Sequence, residues 1–100
     1  PENPRVHYLK GVSDLYTPAE YGGGADVAIK TLTKSVDLFE KENIEDPMLP
    51  SWGKDEAYTF LAMTYNQKGD KDKAVEFFQK ALEVNPEFML AKDELEKIKK

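Results

Sequence analysis

The clearest folding signal in the chain is DEAYTFLAMTYNQKGDKDKAVEFFQKALEVNPEF, residues 55–88. Large apolar residues recur there every three or four positions in two runs, 55–66 and 71–84, which is the period of an amphipathic helix face. Gly69 and Asp70 separate the runs, since a glycine commonly follows one helix and an aspartate caps the next. The sequence therefore predicts two helices joined by a tight turn. Their apolar positions are Tyr58, Leu61, Ala62 and Tyr65 in the first run and Ala74, Val75, Phe77, Phe78, Ala81 and Leu82 in the second.

Two more helices are predicted before this pair. Asn3-Pro4 combines a capping residue with a proline that suits a first helical turn, and Thr17-Pro18 ends the helix that it begins. Gly22–Gly24 then forms a turn, because glycine accepts backbone conformations that other residues avoid. A second helix is predicted over 25–41. Residues 43–50 contain two prolines and no periodicity, which indicates a loop.

One more helix is predicted at the end of the chain. Asn85-Pro86 repeats the cap-and-proline signal and begins an amphipathic helix over 87–99, whose last turn is rich in lysine. Ser51 is the expected N-cap of the helix over 55–66. No segment alternates apolar and polar residues long enough to indicate a sheet, so the predicted fold class is all-α.

Length and composition restrict the class of protein. The 100 residues make one domain or a part of a larger one, and 40% hydrophobic with 33% charged residues is a globular balance. The net charge of −5 argues against nucleic acid or an anionic membrane as the main partner, and no apolar run is long enough to insert into a bilayer. Without cysteine, the chain has no disulfide, thiol nucleophile or cysteine zinc site.

The spacing of residues 55–88 resembles the tetratricopeptide repeat, a unit of roughly 34 residues with the pattern W-x2-L-G-x2-Y…A-x3-F…P. Tyr58 stands at the tryptophan position and Ala62 at the glycine position. Such a hairpin cannot bury its apolar face alone, so neighbouring helices stack on it. The other residues that agree in this register are Leu61, Tyr65, Gly69, Ala74, Phe78, Ala81 and Pro86.

The first half fits the same register less closely. Gly11 and Ala28 take its two small-residue positions, whereas Lys10 stands where leucine is usual and Asp14 where tyrosine is usual. Pro1 takes the place of the proline that closes a preceding unit. The segments 16–18, 22–24 and 50–53 are also similar to a set of uncharacterised bacterial tetratricopeptide proteins.

The resemblance implies two antiparallel helical hairpins, a fragment of a right-handed α-superhelix, plus a C-terminal capping helix. In this division, 4–42 is a degenerate repeat with an insertion, 43–54 a connecting loop, 55–88 the well-matched repeat and 89–100 the capping helix.

The resemblance also implies a non-enzymatic module or scaffold that binds a protein or a peptide. In this family the first helices of successive hairpins line a groove for the ligand. Lysine and asparagine do not stand where chaperone-binding members hold a C-terminal carboxylate, so that subclass is not expected. The alternative is a structural segment of a longer repeat array, or a domain that self-associates through its open N-terminal face. The groove positions implied here are Tyr8, Val12, Leu15, Glu56, Thr59, Phe60, Met63, Gln67, Leu90 and Asp93.

No other side chain in the sequence favours a catalytic, cofactor or metal site. His7 is the only histidine, so no second one can join it on a transition metal. Gly22–Gly24 precedes a helix but lacks the strand and the lysine of a phosphate-binding loop. Asp70 and Asp72 lack the spacing of a calcium loop, and helix capping explains them better. The acidic cluster Glu40, Glu42, Glu45 and Asp46 would attract a basic partner or a divalent cation weakly, and a solvated loop explains it better.

Overall fold

A computed structural model describes residues 3–45 and 53–99 of the chain. Within these two segments the chain forms five α-helices and one short 3₁₀ helix, without a strand. The predicted all-α fold class is therefore confirmed. The helices are α1 (Pro4–Tyr16), α2 (Ala25–Glu45), α3 (Lys54–Gln67), α4 (Lys71–Val84) and α5 (Met89–Lys99), and the 3₁₀ helix Ala19–Tyr21 lies between α1 and α2.

The helices pack as two hairpins in two layers. α1 packs along α2 and α3 along α4, which confirms the predicted hairpins. α2 packs on α3, and α4 packs on α5, so the hairpins and the last helix stack in chain order. α3 also touches α1 and α5. Therefore α1, α3 and α5 form one layer, and α2 and α4 form the other.

Small residues let the two helices of each hairpin approach closely. Ala62, Ala74 and Ala81 have no exposed surface in the second hairpin. In the first hairpin, a Cβ atom placed on Gly11 would lie 2.5 Å from Leu32 Cδ2 and 3.4 Å from the Leu32 backbone nitrogen. Larger side chains fill the rest of the core, and those that are fully buried include Leu32, Phe39, Leu61 and Phe78.

Side-chain caps form where the sequence predicts them for α1 and α4. Asn3 Oδ1 accepts a hydrogen bond from the Arg5 backbone N–H at 2.9 Å, and Pro4 is the first residue of α1. Asp70 Oδ1 accepts from the Lys73 backbone N–H at 3.2 Å. Each carboxamide or carboxylate thus pairs with a backbone donor that lacks a partner inside its helix.

Three predicted helix boundaries differ from the structure. α2 continues through 43–45, which were predicted to be loop, because the first residue that a proline disfavours for helix is the one before Pro47. The N-cap of α3 is Gly53 and not Ser51, which lies outside the described residues. α5 begins two residues after the predicted start at residue 87.

The late start of α5 has a local cause at Asn85. Its backbone N–H donates to the Ala81 carbonyl at 2.9 Å, so this residue ends α4 and does not cap α5. Its side-chain Oδ1 accepts from the Glu87 backbone N–H at 3.2 Å, and its carbonyl accepts from Phe88 N–H at 3.1 Å. These bonds hold 85–88 in a turn, as asparagine often does through its own side chain.

Candidate functional site

Tyr8 of α1 joins two residues of α3. Its phenol donates a hydrogen bond to Glu56 Oε2 at 2.9 Å, and its ring centroid lies 6.1 Å from that of Phe60, with the planes tilted by 49°. Burial raises the pKa of Tyr8 well above its usual value, and the bond to Glu56 and the charges of Glu56 and Asp55 raise it further. Tyr8 is therefore a neutral donor that fixes α1 beside α3.

This contact places one stripe of α1 next to one stripe of α3. Along α1 the stripe continues from Tyr8 through residues four and seven positions later, and the α3 stripe follows the same helical spacing. α5 borders α3 on its other side. We call the surface along these helices the groove face. Its members, as the repeat register predicts them, are Tyr8, Val12 and Leu15 of α1, Glu56, Phe60, Met63 and Gln67 of α3, and Leu90 and Asp93 of α5.

The groove face combines half-buried apolar side chains with exposed polar ones. Val12, Leu15, Phe60, Met63 and Leu90 are half-buried. Glu56 is also half-buried, whereas Gln67 and Asp93 are exposed. The face therefore has apolar surface that a partner can still cover.

Thr59, the tenth predicted groove residue, is fully buried. Its hydroxyl donates to the Asp55 backbone carbonyl at 2.8 Å, and none of its surface is exposed. It cannot contact a ligand in this conformation, so it is not part of the groove face. Tyr8 is also buried, with 8% of its surface exposed, and acts mainly by supporting Phe60 and Glu56.

The second hairpin, α3–α4, matches a known family of repeats. The family model of the tetratricopeptide repeat matches residues 55–88. The α3–α4 hairpin is therefore similar to a tetratricopeptide repeat. The family is generally non-catalytic, and protein–protein interaction is typical of it. The chain has no significant match among curated proteins or solved structures.

A polar network connects the α3–α4 hairpin to α2. Glu40 Oε1 accepts a hydrogen bond from the Tyr58 phenol at 2.7 Å and pairs with Lys54 Nζ at 2.9 Å. Burial raises the pKa of Tyr58, and its bond to Glu40 acts in the same direction. Burial alone would also raise the pKa of Glu40, but the bonds from Lys54 and Tyr58 and the charges of Lys54 and Lys80 lower it. The network stabilises the stacking of one hairpin on the other.

The glycine turn before α2 uses its amides within the chain. The Gly22 and Gly23 N–H groups donate to the carbonyls of Ala19 and Pro18 at 3.0 and 3.2 Å. The Gly24 N–H donates to the Asp14 carbonyl at 2.8 Å. The three amides are therefore not available to a phosphate.

Two residues of the acidic cluster are also paired within the protein. Arg5 holds Glu42 through two hydrogen bonds of 3.1 and 3.2 Å, and Glu40 belongs to the network above. The side chain of Glu45 and all of Asp46 lie outside the described residues. Among the residues that the structure describes, no group of three histidine, aspartate or glutamate side chains could hold a metal ion.

None of the described helices has both the length and the apolarity of a membrane span.

The outer face of α1 carries exposed apolar side chains that the sequence did not identify residue by residue. Val6 and Leu9 are 59% and 61% exposed, although both are apolar. The register that pairs Gly11 with Ala62 makes Val6 equivalent to Ala57 and Leu9 equivalent to Phe60 of the α3–α4 hairpin. Ala57 has no exposed surface, because α2 covers that side of α3.

Proposed function

We propose that this protein is a non-enzymatic binding module or scaffold, and that a protein or peptide ligand occupies the groove face. The proposal depends on one observation above all: Phe60 and Met63 remain partly exposed on a face that α1 and α3 hold together. Aromatic and methionine side chains contribute much of the energy at protein interfaces, and methionine adapts to varied partners.

The geometry also supports a preformed site. Tyr8 cannot turn away without losing both its bond to Glu56 and its contact with Phe60. A side chain held in this way loses little conformational freedom when a ligand binds, which favours affinity. The ligand would lie across α1, α3 and α5, since all three helices contribute side chains.

A peptide-display selection against the 100-residue chain tests the proposal. Enriched peptides are measured against wild type, Met63→Ala and Gln67→Ala, with Gln79→Ala on α4 as the control from the other layer. We expect weaker binding to the two groove variants, by about five-fold or more for Met63→Ala, and unchanged binding to the control. Circular dichroism verifies that each variant is folded.

Two results of this experiment would contradict binding at the groove face. If no peptide is enriched, or if the enriched peptides bind Met63→Ala, Gln67→Ala and Gln79→Ala alike, the groove face is not the binding site. If Met63→Ala unfolds the protein, Gln67→Ala still decides the question, because Gln67 is exposed and its loss removes no core contact.

A second function is favoured by the outer face of α1: a structural segment of a longer repeat array, or a self-association domain. Within the chain, α2 and α4 cover the equivalent positions Ala57 and Ala91, neither of which has exposed surface. A helix of a further repeat, or of a second copy, would cover Val6 in the same way. Sedimentation equilibrium tests self-association: mass that rises with concentration in wild type, but not in Val6→Ser, supports it, and a constant monomer mass contradicts it.

A further inference from the structure

We propose that the groove face binds a peptide segment in which a lysine or arginine stands beside an apolar side chain. This inference rests on the proposed function and adds the chemistry of the ligand. The groove face has charges of one sign: Glu56 and Asp93 are acidic, and none of its residues is a cation. Opposite charges steer a partner to a surface and select against partners of the same charge.

Several cations that lie close to the groove face in sequence are engaged elsewhere. Lys54, two residues before Glu56, pairs with Glu40 at 2.9 Å, and Lys92, next to Asp93, pairs with Glu87 at 3.8 Å. Arg5, one turn before Tyr8, is held by Glu42 through two hydrogen bonds. Lys97, one turn after Asp93, pairs with Glu94 at 3.4 Å. None of these cations is therefore set to neutralise the acidic residues of the groove face. Lys10, on the adjacent side of α1, pairs with Asp14 at 3.1 Å.

The carboxylates of Glu56 and Asp93 can still accept hydrogen bonds from a ligand. Glu56 accepts one hydrogen bond, from the Tyr8 phenol, whereas a carboxylate has about four acceptor positions. Asp93 is exposed and forms no ion pair with any side chain in the described segments. A lysine or arginine on the ligand would supply the missing donors, and its apolar neighbour would cover Phe60 and Met63.

The apolar surface determines the second half of the ligand. Phe60 and Met63 are adjacent on one stripe of α3, and Glu56 is one turn before Phe60 on the same stripe. An anionic ligand would place its charge beside Glu56 and Asp55, whose charges already act together on Tyr8. A peptide with a cation next to a leucine, methionine or aromatic residue satisfies both parts of the surface.

The test uses the peptides enriched in the display selection, now sorted by charge. Their binding is measured against Glu56→Gln and Asp93→Asn, which remove a charge at nearly constant volume, and against Asp72→Asn on α4 as the matched control. We expect enriched peptides to contain lysine or arginine beside an apolar residue. The dissociation constant is expected to rise about three-fold for each groove variant and to stay unchanged for the control.

The outcomes separate this inference from the proposed function. Peptides that need Met63 but lack a cation, or that bind Glu56→Gln and Asp93→Asn as well as wild type, overturn the charge inference and leave the proposed function standing. If no peptide is enriched, or if binding survives Met63→Ala and Gln67→Ala, both fail. A drop in affinity for Asp72→Asn equal to that for the groove variants shows only a net-charge effect and also overturns the inference.

Discussion

At Gly11 a single missing methyl group allows α1 and α2 to pack. The site has no spare volume, because Leu32 opposite is itself fully buried and cannot swing into solvent. The sequence register placed a small residue here, and the reason is now physical: any side chain would have to displace Leu32 or push the helices apart.

We expect Gly11→Ala to destabilise the protein by about 1–2 kcal/mol, in spite of the higher helix propensity of alanine. The added Cβ would meet Leu32 Cδ2 at 2.5 Å, and overpacking of a tight core typically costs more than the propensity gains. Urea unfolding followed by circular dichroism measures the change. Ser13→Ala, at an exposed position of the same helix, is the control and should be neutral or slightly stabilising. Equal stability of Gly11→Ala and wild type would show that Leu32 can move aside.

At the scale of elements, helices that follow simple spacing were predictable and their ends were less so. The α3–α4 hairpin follows from residues three and four positions apart, and from Gly69 and Asp70 between the helices. The cap-and-proline signal placed the start of α5 two residues early because the Asn85 side chain bonds to Glu87 N–H, and such a signal in sequence does not distinguish that turn from a helix start. The end of α2 was placed too early because 43–45 contain no helix breaker.

The turn between α1 and α2 depends on two different properties of glycine. A Cβ atom on Gly23 would lie 2.4 Å from the Thr17 carbonyl oxygen and 2.7 Å from that of Asp14, both backbone atoms. Gly22 has open space around it but a φ of +90°. Hence Gly23 is required because any Cβ atom there would clash with the backbone. Gly22 is required because its positive φ disfavours other residues.

We expect Gly23→Ala to cost about 3 kcal/mol of unfolding free energy, because the backbone of the turn must open. Gly22→Ala should cost about 1–2 kcal/mol, the usual penalty for a left-handed alanine. Chemical denaturation of the two variants at one pH measures the difference. If both variants lose the same stability, backbone conformation and not space controls the turn.

For the whole molecule, the sequence predicted the all-α hairpins, but it could not predict how exposed each side chain would be. The repeat register assigned the groove positions of α1, α3 and α5, and Tyr8 does reach α3. It could not show that Thr59 is fully buried, because that depends on how the helices around α3 pack. Nor could it show which cations are paired internally, since Arg5 meets Glu42 only after α1 folds on α2.

Two buried phenols connect the layers and make stability depend on alkaline pH. Tyr8 bonds to Glu56 between α1 and α3, and Tyr58 bonds to Glu40 between α3 and α2. Burial raises the pKa of both tyrosines in the folded protein. Stability from a raised pKa is complete below the unfolded value of about 10 and is lost as pH rises through the folded pKa.

We therefore expect the unfolding free energy to fall above about pH 10, by up to about 1.4 kcal/mol per pH unit for each of the two tyrosines. Tyr8→Phe with Tyr58→Phe should lower stability at neutral pH, because two hydrogen bonds are lost, and should flatten the alkaline decline. Urea unfolding at neutral pH and at about pH 11 measures both effects. Tyr16→Phe with Tyr21→Phe, at side chains that are 71% and 77% exposed, is the matched control and should keep the wild-type decline. An alkaline decline that persists unchanged without Tyr8 and Tyr58 would place its origin in the lysines, and the two phenols would then contribute to packing alone.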